Sequence, residues 1–280
     1  MKTIPAALIL LFLLPLTACA GLPAPAERRG LGEEIAADGN LTPVAIRTEP
    51  FDLLALLRGN AEGGRLTVYI EGDGLPWKRK NEISDDPTPV NPVAMRLAAA
   101  DPSAAIAYLA RPCQFTGGTA GRNCTSDVWT KARYGEEAVS AMNEGLQQLK
   151  ERAGATEIAL VGYSGGGTIA ALVALRRTDI VWMKTVASPL DTDTFTSIHG
   201  VTPLSASLNP AETAAALARI PQIHYVGEED KIVPAEINRR FLSRMKDTSC
   251  AALVILPGLD HRDGWPEIWP GLAREAPICR

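Results

Sequence analysis

Residues 157–177 read EIALVGYSGGGTIAALVALRR, and this stretch decides the fold. After its first residue, Glu157–Val161 is a short, uniformly apolar run, as a strand buried on both faces requires. It passes through Gly162-Tyr163-Ser164-Gly165-Gly166 directly into a helix predicted over Gly165–Arg177. The alternation repeats outward. Strands are predicted at Arg65–Ile70, Ala104–Ala110, Ile180–Val186, Gln222–Val226 and Ala251–Leu256, with one or two more in Val44–Arg58. Helices are predicted at Asn91–Ala100, Tyr134–Ala153, Pro234–Lys246 and Gly264–Arg274. Val139, Met142, Leu146 and Leu149 supply the helical spacing in the longest of these, which ends at Gly154. Strands alternating with helices imply an α/β fold, a mostly parallel sheet with helices on both faces. Ligands of such sheets bind beyond the carboxyl ends of the strands, so the residues just after each strand carry the chemistry.

Three strand ends stand out. The first is the G-x-S-x-G around Ser164, with a strand before it and a helix after it, the context of a nucleophile elbow. The second is Gly227–Pro234 (GEEDKIVP), where Asp230 is the acid chosen to orient a histidine. Asp191 and Asp193, after the preceding strand, are rival positions. The third is His261 in PGLDH, after the last strand. The other two histidines, His199 and His224, fall in a polar insertion and inside a predicted strand, where structural roles are expected.

Ser164, Asp230 and His261 follow the order nucleophile, acid, histidine. With the β-to-α context, this resembles the α/β-hydrolase fold family at the level of element order over residues 44–275. The segments Tyr69–Gly74 (YIEGDG), Leu109–Cys113 (LARPC) and Gly162–Gly167 (GYSGGG) resemble those of exported bacterial lipoprotein α/β-hydrolases of unassigned substrate. The resemblance implies an oxyanion hole from the N–H groups of Gly165 and, in the loop after RLTVYI, Asp73. Many relatives carry His-Gly where this chain has Glu71-Gly72. Carboxylates at this place oppose a developing anion unless paired or turned away. Arg79, Lys80 and Arg111 are the candidate partners, with a cationic substrate group on Asp73 as the alternative.

The N-terminus reads as an address. Lys2 precedes an apolar run from Ile4 to Leu16, a signal peptide's order, so residues 1–18 are set outside the fold. Leu16-Thr17-Ala18-Cys19 resembles the bacterial lipobox, which implies cleavage before Cys19 and its lipidation. Position 20 is Ala rather than Asp, which favours the outer membrane, facing the periplasm, if the cell is Gram-negative. Residues 19–42 are then expected to be the lipidated cysteine and a flexible tether, and 43–280 the hydrolase domain, with 189–220 an insertion or cap containing one helix over Ala211–Arg219.

Composition bounds the rest. The 280 residues are 46% hydrophobic with a net charge of −4, which disfavours both disorder and a nucleic-acid partner. Four cysteines besides Cys19 suit disulfides in an exported chain, with three connectivities open. The local pairings Cys113–Cys124 and Cys250–Cys279 are favoured. Without a CxxC or a histidine cluster no metal is expected, and without a second glycine-rich phosphate loop no cofactor is expected. Trp77, Trp129 and Trp265 line a pocket or fill the core. The expected partner is a small acyl substrate, with the membrane reached through the lipid and the oligomeric state open. Ester or thioester hydrolysis is the first functional reading. Amide or peptide hydrolysis or acyl transfer with the same triad is the second, and a non-catalytic surface binding lipoprotein the third.

Overall fold

The computed structural model describes residues 21–280. Residues 1–18 and Cys19, where the leader and the lipidation site are expected, lie outside them. Ten strands occur among the described residues: β1 (Thr42–Arg47), β2 (Asp52–Arg58), β3 (Arg65–Ile70), β4 (Trp77–Arg79), β5 (Glu82–Ile83), β6 (Ile106–Leu109), β7 (Glu157–Tyr163), β8 (Ile180–Val186), β9 (Gln222–Gly227) and β10 (Ala251–Leu256). Eight form one sheet in the order β1-β2-β6-β3-β7-β8-β9-β10, while β4 and β5 make a separate hairpin. β2 runs antiparallel to β1 and β6, and every pair from β6 to β10 is parallel. A mostly parallel sheet must be covered on both faces. The alternation of side chains along β3 feeds both: Leu66, Val68 and Ile70 enter one core and Tyr69 the other.

The helices are α1 (Pro25–Asp38), α2 (Val93–Ala100), α3 (Glu136–Arg152), α4 (Gly165–Ala174), α5 (Thr192–His199), α6 (Ala214–Leu217), α7 (Ala235–Ser243) and α8 (Trp265–Arg274). α3, α4 and α7 cover one face, with Val139, Leu146, Ile169 and Phe241 in its core. α1, α2 and α8 cover the other, with Ile35, Met95, Trp265 and Trp269. Every residue of α4 is buried, which explains why its sequence is apolar all round.

Two expectations are corrected. Residues 25–38 are not part of a flexible tether. They form α1, opened by Pro25 and by Glu27, whose carboxylate accepts the Ala24 N–H at 2.6 Å. The helix buries Arg28, Gly32, Ile35 and Ala36, and Arg28 donates to the carbonyls of Asp86 and Thr88. In the 189–220 insertion, the predicted helix over 211–219 shrinks to a 3-10 turn at Pro210–Thr213 followed by α6, and the longer helix is α5. Both local cysteine pairs are bonded, Cys113 to Cys124 and Cys250 to Cys279.

Candidate active site

Ser164 sits between β7 and α4 at φ +49° and ψ −126°, a backbone region that L side chains rarely adopt. Such strain costs about 1–3 kcal/mol and persists only where the surroundings enforce it. Here the enforcement is close packing. A Cβ on Gly166 would lie 2.1 Å from the Ile70 carbonyl oxygen, so only glycine lets the start of α4 lie against the end of β3.

The ends of β9 and β10 supply the partners. Asp230 lies just past β9, and its Oδ1 accepts the N–H groups of Ile232 at 2.8 Å and Val233 at 2.7 Å. Those bonds aim Oδ2 at His261 Nδ1, 2.9 Å away. His261, just past β10, places Nε2 3.1 Å from Ser164 Oγ. The Asp230 side chain is fully buried and that of His261 only 10% exposed, so this chain of contacts is largely shielded from water. Tyr163 braces it from behind, its hydroxyl donating to the His261 carbonyl at 2.9 Å. The structure thus brings together the three residues read from the sequence.

The rival acids are elsewhere. Asp191 caps α5, its Oδ1 accepting the Thr194 N–H at 3.1 Å, and Asp193 lies in the first turn of the same helix. His224 is buried in β9 against Thr185 and Gln222, and burial depresses its pKa to about 3. His199 contacts the Ile232 carbonyl oxygen at 2.8 Å. Both play structural parts, as expected.

The loop after β3 lies against the serine. A Cβ on Gly72 would stand 3.2 Å from Ser164 Cβ, and one on Gly165 only 2.0 Å from Asp73 Oδ1. The N–H groups of Asp73 and Gly165 donate to no acceptor among the described residues. The Gly72 N–H instead goes to Glu71 Oε1 at 2.9 Å, and the Gly72 carbonyl accepts from Gln114 Nε2 at 2.9 Å. This neighbour of disulfide-bonded Cys113 therefore braces the loop.

The two carboxylates of the loop have different fates. Asp73 is clamped by Arg111 at 3.2 Å, by Arg133 at 2.8 Å and by the Tyr134 hydroxyl at 3.0 Å. Burial, the largest single influence, would raise its pKa, but the charges of Arg133 and Arg111 and the hydrogen bonds from Arg133 and Tyr134 together hold it below the ordinary carboxylate value. Of the partners named from the sequence, only Arg111 is one. Arg79 pairs with Glu82 at 3.8 Å, and Lys80 forms no ion pair among the described residues. Arg133 and Tyr134 were not legible, because nothing in the local sequence links residue 133 to residue 73. Glu71 has no cationic partner among the described residues. It is buried beneath the loop, accepts the Ala94 N–H at 3.4 Å at the start of α2, and receives the Tyr108 hydroxyl at 3.2 Å. Burial raises its pKa to about 7, against the pull of those hydrogen bonds.

The tryptophans are mostly core. Trp129 and Trp265 are buried, while Trp77 is exposed. A cavity of about 330 Å³ lies between α1 and the sheet, lined by Leu41, Leu54, Leu56, Met95 and Phe115, and none of its walls belongs to the Ser164 cluster.

A sheet of this order, with an elbow serine after β7 and its acid and histidine after β9 and β10, defines an α/β-hydrolase, and the chain is an enzyme of that class. Residues 95–261 match the serine hydrolase family FSH1, and the chain belongs to that family. The match spans Ser164, Asp230 and His261 and begins after the Glu71–Gly74 loop. No curated protein matches the chain. Among solved structures, an esterase of Pyrococcus furiosus is similar, with a TM-score of 0.60 and 16% identity over 85% of this chain and 92% of that one. Est1E from Butyrivibrio proteoclasticus gives a TM-score of 0.59 and 14% identity over 83% and 96%. A putative lipase of Acinetobacter baumannii gives 0.53 and 15% over 88% and 92%. At these identities the likeness is one of fold.

Proposed function

We propose that this serine hydrolase cleaves an ester or thioester through Ser164, His261 and Asp230, with an acyl-enzyme intermediate. The observation that carries the reading is the unbroken line of contacts from Asp230 through His261 to a serine in strained backbone. His261 Nε2 takes the Ser164 proton as Oγ bonds to the acyl carbon. The carbonyl oxygen becomes an oxyanion held by the N–H groups of Gly165 and Asp73. Collapse breaks the bond to the leaving alcohol or thiol, which receives the proton from His261. Water then attacks the acyl-enzyme with His261 again as base, releasing the acid and restoring Ser164. Asp230 keeps the imidazole oriented and stabilises its cationic form. The esterases among the fold neighbours support esters as the substrate class.

The same proposal places the enzyme at the cell envelope, exported by residues 1–18 and held by lipid on Cys19. Its support is the order of Lys2, the apolar run and Leu16–Cys19. Cys19→Ser is expected to move the protein from the membrane fraction to the soluble one, and retention in the membrane would refute the anchor.

The test of the chemistry is fluorophosphonate labelling, which needs an activated serine and an oxyanion hole but no knowledge of the substrate. Wild type is expected to label, and folded Ser164→Ala and His261→Ala proteins are not. Hydrolysis of an activated ester by Ser164→Ala is expected to fall by about four orders of magnitude or more. A folded wild type that never labels would overturn the reading.

A further inference from the structure

The distribution of exposed apolar side chains is one-sided. Among the described residues ten large apolar side chains are exposed, and seven of them lie in the segments that follow β3, β8 and β9 or just before α1. Leu22, Trp77 and Ile83 lie beside the loop after β3, on one side of β7. Ile198, Val201, Leu208 and Ile232 lie by the acid loop and the insertion, on the other. His199 ties the second group together through the Ile232 carbonyl, and the Leu208 N–H donates to the carbonyl of Tyr134, a clamp residue of Asp73. Trp77 and Ile83 face one another across the β4–β5 hairpin and are 40% and 38% exposed. Lys78, Arg79 and Lys80 sit beside them. Glu82 and Asp85 pair with the first two, and Lys80 pairs with no carboxylate among the described residues.

The described chain begins at the same end. Leu22 and Pro23 line a cleft of about 320 Å³ with Leu75, Lys78 and Asp85, and Leu75 is two residues past Asp73. The buried Arg28 and the Arg29–Asp86 pair at 3.5 Å fix α1 there. Cys19 precedes Pro25 by six positions, a reach of at most about 20 Å.

A tryptophan and aliphatic side chains flanked by lysine and arginine are what rests stably at a membrane–water interface, and the basic residues favour anionic lipid. We propose that this rim lies on an anionic phospholipid bilayer, so that Ser164 opens toward acyl groups held in the membrane. The inference rests on the hydrolase reading for its substrate class and on the Cys19 anchor for attachment. The lipid supplies the attachment and the rim sets the orientation.

Trp77 is a built-in reporter, since it is one of five tryptophans and the other four are buried. The full lipidated protein would be reconstituted into phosphatidylcholine–phosphatidylglycerol vesicles, with and without bromine on the acyl chains. Bromine is expected to remove up to about one fifth of the tryptophan emission, the share of one residue in five. In Trp77→Phe that loss is expected to vanish, and in Ser164→Ala to persist, so the outcome does not depend on catalysis. Equal quenching, or none, in wild type and Trp77→Phe protein that carries lipid and floats with the vesicles would overturn the proposal. The mass of the N-terminal peptide reports the anchor separately. A chain without lipid that stays off the vesicles refutes the anchor and this orientation together.

Discussion

A carboxylate beside a developing oxyanion opposes it, and Asp73 stands there. Its two guanidinium partners reverse the local sign, while the backbone N–H of the same residue remains free to donate. Removing the charge but keeping the shape exposes this balance. Asp73→Asn leaves Arg111 and Arg133 buried with no counter-charge, which is expected to cost about 3–5 kcal/mol in urea unfolding. A loss below about 1 kcal/mol would mean that solvent already screens the clamp. Glu71 gives a second residue-scale prediction. Its folded pKa, about 7, lies above its ordinary value of 4.5, so the native state keeps the proton to higher pH than the unfolded chain does. Its contribution to stability therefore falls as pH rises from about 4.5 to about 7 and is flat above that. Relative to Glu71→Gln, wild type is expected to lose up to about 3 kcal/mol across this window. A constant difference between the two proteins would show that Glu71 ionises as if exposed. Ser164, Asp230 and His261 were legible because each follows an apolar strand, and strand ends are where this fold gathers its chemistry. Arg133 was not, because tertiary packing alone brings it to Asp73.

At the scale of elements, strands of uniformly apolar sequence were read to within a residue or two, since burial on both faces leaves few alternatives. β3 and β8 occupy the predicted spans, and so does β10, an edge strand that is only half-buried and is legible from its apolar run alone. α1 escaped because its buried stripe is Arg28, Gly32, Ile35 and Ala36, which carries helical spacing but little hydrophobicity. α5 escaped because Asp191 was read as a rival acid, whereas it is the helix cap. Two substitutions test these elements. Arg28→Ala removes charged hydrogen bonds to two carbonyls and is expected to cost about 2–3 kcal/mol in chemical denaturation. A flexible tether would show no cost. Gly166→Ala forces a Cβ against the backbone carbonyls of Ile70 and Glu71 and is expected to destabilise the protein by about 1–3 kcal/mol, since backbone has to move to admit it. Full stability in that variant would mean that α4 and β3 are less closely seated than described.

At the scale of the whole molecule, the two disulfides tie parts of the chain that matter differently. Cys113–Cys124 closes a separation of 11 residues, and Cys250–Cys279 one of 29. Constraint of the unfolded chain makes these worth about 3 and about 4 kcal/mol. The stability losses are therefore expected to be similar, but their consequences for catalysis are not. Cys250 precedes β10 and Cys279 lies in the C-terminal tail, so replacing both with serine is expected to lower the midpoint of denaturation and leave the kcat of an activated ester unchanged. Cys113 is the neighbour of Gln114, which holds the Gly72 carbonyl and with it the turn that presents the Asp73 N–H. Replacing Cys113 and Cys124 with serine is expected to lower kcat as well, with KM nearly constant, because a displaced oxyanion donor weakens the transition state more than the ground state. Assays at a temperature where both variants remain fully folded separate the two effects. Equal kcat values there would show that Gln114 keeps its place without the crosslink.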